Sequence, residues 1–122
     1  MVKQVIVVRR DLKMRRGKEI AQGSHASMAF LVRRLRRSGA IEMSDAEREW
    51  LFHHQAKICV RVESEAELLD VHARAIAAGL ESHLIRDAGH TEFGGVPTLT
   101  CCAVGPDDAE KIDAITGGLT LY

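Results

Sequence analysis

The run from Gln4 to Arg9, built on Val5, Ile6, Val7 and Val8, constrains the fold of this chain most. Consecutive β-branched residues crowd a helix and suit a strand. With no polar residue between them, they predict a strand buried on both faces, as in a parallel sheet covered by helices. A polar loop, Arg10 to Arg16, follows. A helical pattern then runs from Gly17 to about Arg37 and ends at Gly39. On that helix Ile20, Ala21, Ser24, Met28, Leu31, Val32 and Leu35 fall within one arc, which is expected to face the core. Lys18, Gln22 and His25, spaced i, i+4, i+7, lie along a neighbouring edge.

The rest of the chain repeats this alternation. Ser44 with Glu47, and Ser64 with Glu67, are capping-box pairs that predict helices to about Phe52 and Ala78. Strands are expected at Ala56 to Val62, Glu81 to Arg86 and Thr98 to Val104. A glycine-rich loop, Asp87 to Pro97, separates the last two. Pro106, followed by Asp107 and Asp108, is expected to open a final helix towards Ile115. The order β-α-α-β-α-β-β-α implies a single α/β domain over residues 1–122. It is a three-layer α/β/α architecture: a mixed, mostly parallel four-stranded sheet with helices on both faces. The strand after the glycine-rich loop is expected to run antiparallel to its neighbour. Ligands of such sheets bind beyond the carboxyl ends of the parallel strands. Two loops leave those ends, Arg10 to Lys18 and Asp87 to Pro97, so they are expected to meet.

Composition narrows the function classes. Aromatic residues make up only 4% of the 122, so the core should be aliphatic, and the scarcity of rings argues against an RNA surface of stacked aromatics. The net charge of zero hides a segregation: residues 1–40 carry eleven basic side chains and two acids, and the remainder six basic side chains and fifteen acids. That asymmetry points to an anionic partner, unless the basic segment folds back on the acidic one. Cys59, Cys101 and Cys102 sit in apolar runs and are expected to be reduced, buried thiols, which fits the cytoplasm. The run Val5 to Val8 is too short for a secretory core or a membrane span.

Two segments could carry chemistry. The first, Lys13-Met-Arg-Arg-Gly-Lys18, lies at a helix start, where free N–H groups and clustered cations attract phosphate. It lacks the leading glycine of a Walker loop, and Glu19 stands where a magnesium-binding Ser or Thr would be, which argues against nucleotide hydrolysis. The second is Asp87-Ala-Gly-His-Thr91. Its carboxylate at a strand end suits substrate orientation or acid–base work, or else a simple Asx turn. The six histidines show no metal-ligand spacing, so no metal is expected. Gly23-Ser24-His25 is not a nucleophile elbow.

These segments resemble the archaeal and eukaryotic, class II type of peptidyl-tRNA hydrolase. The stretch Asp11-Leu-Lys-Met-Arg-Arg-Gly-Lys-Glu-Ile-Ala-Gln-Gly-Ser-His-Ala26 is similar to that family's opening motif, and Asp87-Ala-Gly-His-Thr91 to its second block. Thr100 to Pro106 and Ile112 to Leu119 resemble two further blocks, in order along the chain. The resemblance implies hydrolysis of the ester joining a peptide, or a blocked aminoacyl group, to the 3′ end of tRNA, with activated water, no cofactor and a homodimer. It places catalytic roles on Lys18, Asp87 and Thr91. Substrate contacts fall on Lys13, Arg15, Arg16, Gln22, His25, His90 and Thr98. The chain departs from the family at His90 and Glu92, where Arg and Gln are usual, and at Gly23, where Cys is common. Glu92 brings negative charge near an RNA path. An RNA-binding module of the same fold without efficient turnover is therefore the alternative, to be told apart by salt-dependent tRNA binding without hydrolysis.

Overall fold

A computed structural model describes all of residues 1–122. The β-branched run forms β1, Val2–Arg9. It leads into α1 (Arg16–Ser38) and α2 (Asp45–Phe52), then β2 (Lys57–Val62), α3 (Glu65–Ala77), β3 (Ile85–Asp87), β4 (Thr98–Asp108) and α4 (Ala109–Thr116). The predicted caps of α1, α2 and α3 hold. Ser44 and Glu47 close a full capping box on α2, Ser64 caps α3, and Gly39 ends α1 in the left-handed conformation with its N–H on the Leu35 carbonyl.

The sheet order is β2-β1-β4-β3. β1 pairs parallel with β2, and β4 pairs antiparallel with both β1 and β3. The sheet is therefore mixed, with one parallel pair instead of the mostly parallel arrangement expected. β1, β2 and β3 do point the same way. The reversed β4 follows β3 through a loop with no helix, so it returns antiparallel and inserts between β3 and β1. Its insertion keeps the carboxyl ends of β1 and β3 on one edge, which is the geometry that brings the two loops together.

Pro106 does not start a helix. β4 continues through it to Asp108, because Lys3 and Val2 of β1 still offer pairing partners to Asp107 and Asp108. α4 starts only at Ala109.

The faces of the sheet follow the period-two rule. Val5, Val7, Cys102 and Val104 join the core cluster under α3 and α4, with Leu68, Val71 and Ile112. Val8, Cys101 and Ala103 face the other way with Ala26 of α1 and Met14 of the preceding loop. Burial pushes the Cys101 and Cys102 thiols up to about 11 and about 12. Cys59, expected to be buried, is exposed on the edge strand β2.

The face that α1 turns to the sheet is the main correction to the helical reading. Gln22, Gly23, Ala26, Ser27, Ala29 and Phe30 are its buried residues, while Ile20, Met28 and Leu35 are exposed. Hydropathy misjudges this because the buried polar groups are paired. The buried Gln4 side chain donates to the Ser27 carbonyl at 3.0 Å and accepts from Ser27 Oγ at 2.6 Å. No helix is long and apolar enough to cross a membrane.

Candidate active site

The loop leaving β1 is held from both sides. Arg9 Nη2 and Nε donate to the two oxygens of Asp11 at 2.7 and 3.1 Å, and Nη1 donates to the Leu99 carbonyl at 3.0 Å. The Arg9 guanidinium holds the Asp11 carboxyl below its ordinary range. Met14 is buried and anchors the loop to the core. Between these anchors Lys13 takes a left-handed backbone (φ 52°), which lifts its side chain into solvent. The loop then turns into α1 with Arg15 at the N-cap position.

The second loop leaves β3 at Asp87. Asp87 Oδ2 accepts the Gly89 N–H at 2.9 Å, the i to i+2 bond of an Asx turn. Gly89 has φ 86°, and a Cβ there would lie 2.3 Å from the Val96 carbonyl oxygen, so the loop closes on itself only with glycine at this point. The turn-forming and site-forming readings of Asp87 are therefore one arrangement, because the turn leaves Oδ1 free to face α1.

Lys18 meets it there. Lys18 Nζ donates to Asp87 Oδ1 at 2.8 Å and to Thr91 Oγ1 at 2.7 Å, and stands 5.7 Å from the centre of the Phe93 ring. Gln22 Nε2 approaches the same Asp87 oxygen at 3.4 Å. The Lys18 and Asp87 side chains are only 15% and 12% exposed, so the pair is shielded without being sealed. The Lys18 ammonium, joined by the Gly89 N–H, holds the Asp87 carboxyl below the usual carboxylate range. An ammonium has three protons and two are engaged here, so one remains to meet a substrate. Thr91 accepts from Lys18, which leaves its own hydroxyl proton free to donate.

The other expected residues are placed less tightly. His25 is exposed one turn beyond Gln22, and His90 is exposed on the Asp87 loop. Thr98 pairs with Asp87 across the β3–β4 ladder, but its hydroxyl donates to the Val96 carbonyl at 2.8 Å, so it braces the loop. Lys13 and Arg16 are exposed and join no ion pair. Arg15 behaves differently: both Glu92 oxygens lie 3.4 Å from its backbone N–H, and one lies 3.8 Å from its Nε. The anion at the start of α1 is therefore the chain's own carboxylate.

Thr100 was absent from the expected set. It is fully buried, and its hydroxyl donates to Gln22 Oε1 at 2.5 Å, which turns the Gln22 amide nitrogen towards Asp87. Period two alone would set Thr100 on the Cys102 face. The register shift between Ile85 and Arg86 in the β3–β4 pairing brings both Thr100 and Cys101 against Gln22, a bulge that no local spacing signals. No group of three His, Cys, Asp or Glu side chains converges as a metal site.

The sequence model of the family described as Peptidyl-tRNA hydrolase PTH2 matches residues 2–122. This chain belongs to that family. A Methanocaldococcus jannaschii protein named peptidyl-tRNA hydrolase is 46% identical over 121 residues, covering 98% of this chain and 99% of its own. One of the same name from Methanothermobacter thermautotrophicus is 44% identical over 120 residues, again covering 98% and 99%. Among solved structures, a protein of unknown function from Agrobacterium aligns over 99% of this chain and 97% of its own, with a TM-score of 0.56 and 12% identity, a likeness of fold alone. Within the PTH2 chain the two sequence blocks thus coincide with the two loops that the sheet brings together.

Proposed function

We propose that this PTH2-family protein hydrolyses the ester between a peptide, or an N-blocked aminoacyl group, and the 3′ end of tRNA. The observation that carries the reading is Lys18 Nζ bonded at once to Asp87 and Thr91, with one proton to spare. That proton meets the developing oxyanion of the ester, the point where a fixed cation stabilises the transition state most. Asp87 holds Lys18 and Gln22 in place and accepts a hydrogen bond from the attacking water. Its lowered pKa makes it a weak base near neutral pH, so positioning outweighs proton abstraction in its role. Thr91 donates to the ester or to the water. No side chain here is an activated nucleophile, so water attacks directly. Lys13, Arg15 and Arg16 bind RNA phosphates, with His25, His90 and Thr98 at the rim of the site.

Peptidyl-tRNA is the partner in this reading and the cytoplasm its setting. The reaction draws on no cofactor or metal. The test is release of tRNA from N-acetyl-aminoacyl-tRNA by chelator-treated protein. Turnover that survives chelation and is lost in Asp87→Ala supports the reading. Salt-dependent tRNA binding with no release by the wild-type chain would contradict it.

A second copy of the chain completes the proposal. Ile20, Met28 and Leu35 form an exposed stripe on α1, and the first two line a groove of about 620 Å³ between α1 and the β2 edge, with Leu31, Cys59 and Tyr122. A helix laid antiparallel on its own copy matches such a stripe to itself about a two-fold axis. Sedimentation should show a dimer for the wild type and a monomer for Leu35→Glu. A monomeric wild type at micromolar concentration would rule the dimer out.

A further inference from the structure

A second groove, of about 980 Å³, starts at the candidate active site and runs along the other flank of α1. Gln22, Asp87 and Ala88 line its inner end. Ala29 and Val32 of α1 form one wall, and Leu84 with Ile85, the first residue of the edge strand β3, forms the other. At the far end Arg33 reaches across, its Nη2 3.5 Å from the Leu84 carbonyl. From Gln22 to Arg33 the helix rises about 16 Å, the length of four or five extended residues. The volume is that of a ligand cleft.

Resting on the hydrolase reading above, the geometry points to this groove as the acyl subsite, which takes the last few residues of the peptide in extended form. The ester sits at Lys18, and its two substituents must leave in different directions. The exposed cations Lys13 and Arg16 lie at the N-terminal end of α1, which is the RNA side. The groove departs the opposite way, towards the C-terminal half of the helix, where Arg33, Arg36 and Arg86 also line it beside the apolar strip of Val32, Leu84 and Ile85. β3 lies at the sheet edge with no strand on its outer side, so it can pair with peptide backbone whatever the side chains. Apolar walls together with a strand edge suit a substrate class of varied sequence.

The test compares kcat/KM on tRNA carrying a five-residue peptide and on tRNA carrying one N-acetylated amino acid. The wild type should favour the peptide by at least about tenfold, the worth of a filled apolar contact. Val32→Glu, which sets a charge on the groove wall, should erase that preference, so the loss on the peptide substrate exceeds the loss on the short one by about the same tenfold factor. Val32→Ala keeps the helix intact and should shrink the preference in part, which covers any folding defect in the charged variant. Equal losses on both substrates, together with a shallower salt dependence of tRNA binding, would place RNA in the groove and overturn the proposal. An unchanged preference in both variants would overturn it as well. A wild type inert on both substrates would instead overturn the hydrolase reading, and the subsite with it.

Discussion

Helix α1 carries a charged cluster at each end, and the two are built to opposite rules. At its C-terminal half Arg34 engages every proton of its two terminal nitrogens. Nη1 and Nη2 clasp Glu47 at 2.7 and 2.8 Å, Nη2 also reaches Glu81 at 2.5 Å, and Nη1 meets the Glu42 carbonyl at 2.8 Å. Glu81 further binds His83 at 2.8 Å, and Glu47 accepts the Ser44 N–H at 2.8 Å. At the N-terminal end Lys18 keeps one proton unspent, and its neighbours Lys13 and Arg16 lie open to solvent. A cluster whose terminal guanidinium donors are all engaged locks α2 and the segment before β3 to α1. A cluster with a donor in reserve, at the mouth of a groove, is equipped to act on something else.

Exchanging the two roles should be impossible, and the largest effects test this. Lys18→Ala should lower kcat/KM about 10²–10³-fold, the usual cost of one oxyanion donor, with little change in melting temperature. Arg34→Ala should do the reverse. It leaves Glu47 buried without its partner, at a cost of about 3 kcal/mol in denaturant unfolding, while the folded fraction keeps its kcat/KM.

The pH dependence separates the clusters next. His83 and Arg34 pull the Glu81 carboxyl from its ordinary 4.5 to about 2. A carboxyl lowered on folding contributes stability that is fully present above pH 4.5 and is lost as the pH falls towards about 2. Glu81→Gln should flatten unfolding free energy across that window. Activity should also survive acid, since Asp87 stays ionised below its ordinary 3.8. A rate falling already near neutral pH would point to a different essential group.

Smaller effects sharpen the picture. Glu92→Gln frees Arg15, and should tighten tRNA binding by up to about fivefold, the worth of one exposed charge pair, with a steeper salt dependence. Gly23 joins the two clusters in mid-helix, and a Cβ there would meet only Ile6 Cγ2 at 3.7 Å. Gly23→Ala should therefore raise stability by about 0.5–1 kcal/mol in chemical denaturation.

Much of this was legible in sequence where one residue answers to a local rule. Ser44 with Glu47, Gly39 and the Val5–Val8 run are such signals, and each sits where it was expected. The meeting of Lys18 with Asp87 was legible too, through the rule that loops at strand carboxyl ends converge. What failed was non-local. The place of β4 between β1 and β3 depends on pairing partners far along the chain, and that misplaced Pro106. The buried face of α1 was missed because Gln22 and Ser27 look polar until Thr100 and Gln4 are seen to satisfy them. Sequence places Glu92 only near an RNA path, and its seat over the Arg15 N–H follows from the closed Asp87 loop.

The central claim is that Lys18 and Asp87 act as one unit on the ester, and a double-mutant cycle measures it directly. Lys18→Ala, Asp87→Ala and the double variant are compared by kcat/KM on N-acetyl-aminoacyl-tRNA. Each single change should cost about 10²–10³-fold, and the double variant should fall less than about tenfold below the worse single one. Losses that multiply, or a single variant that turns over like the wild type, would contradict the account.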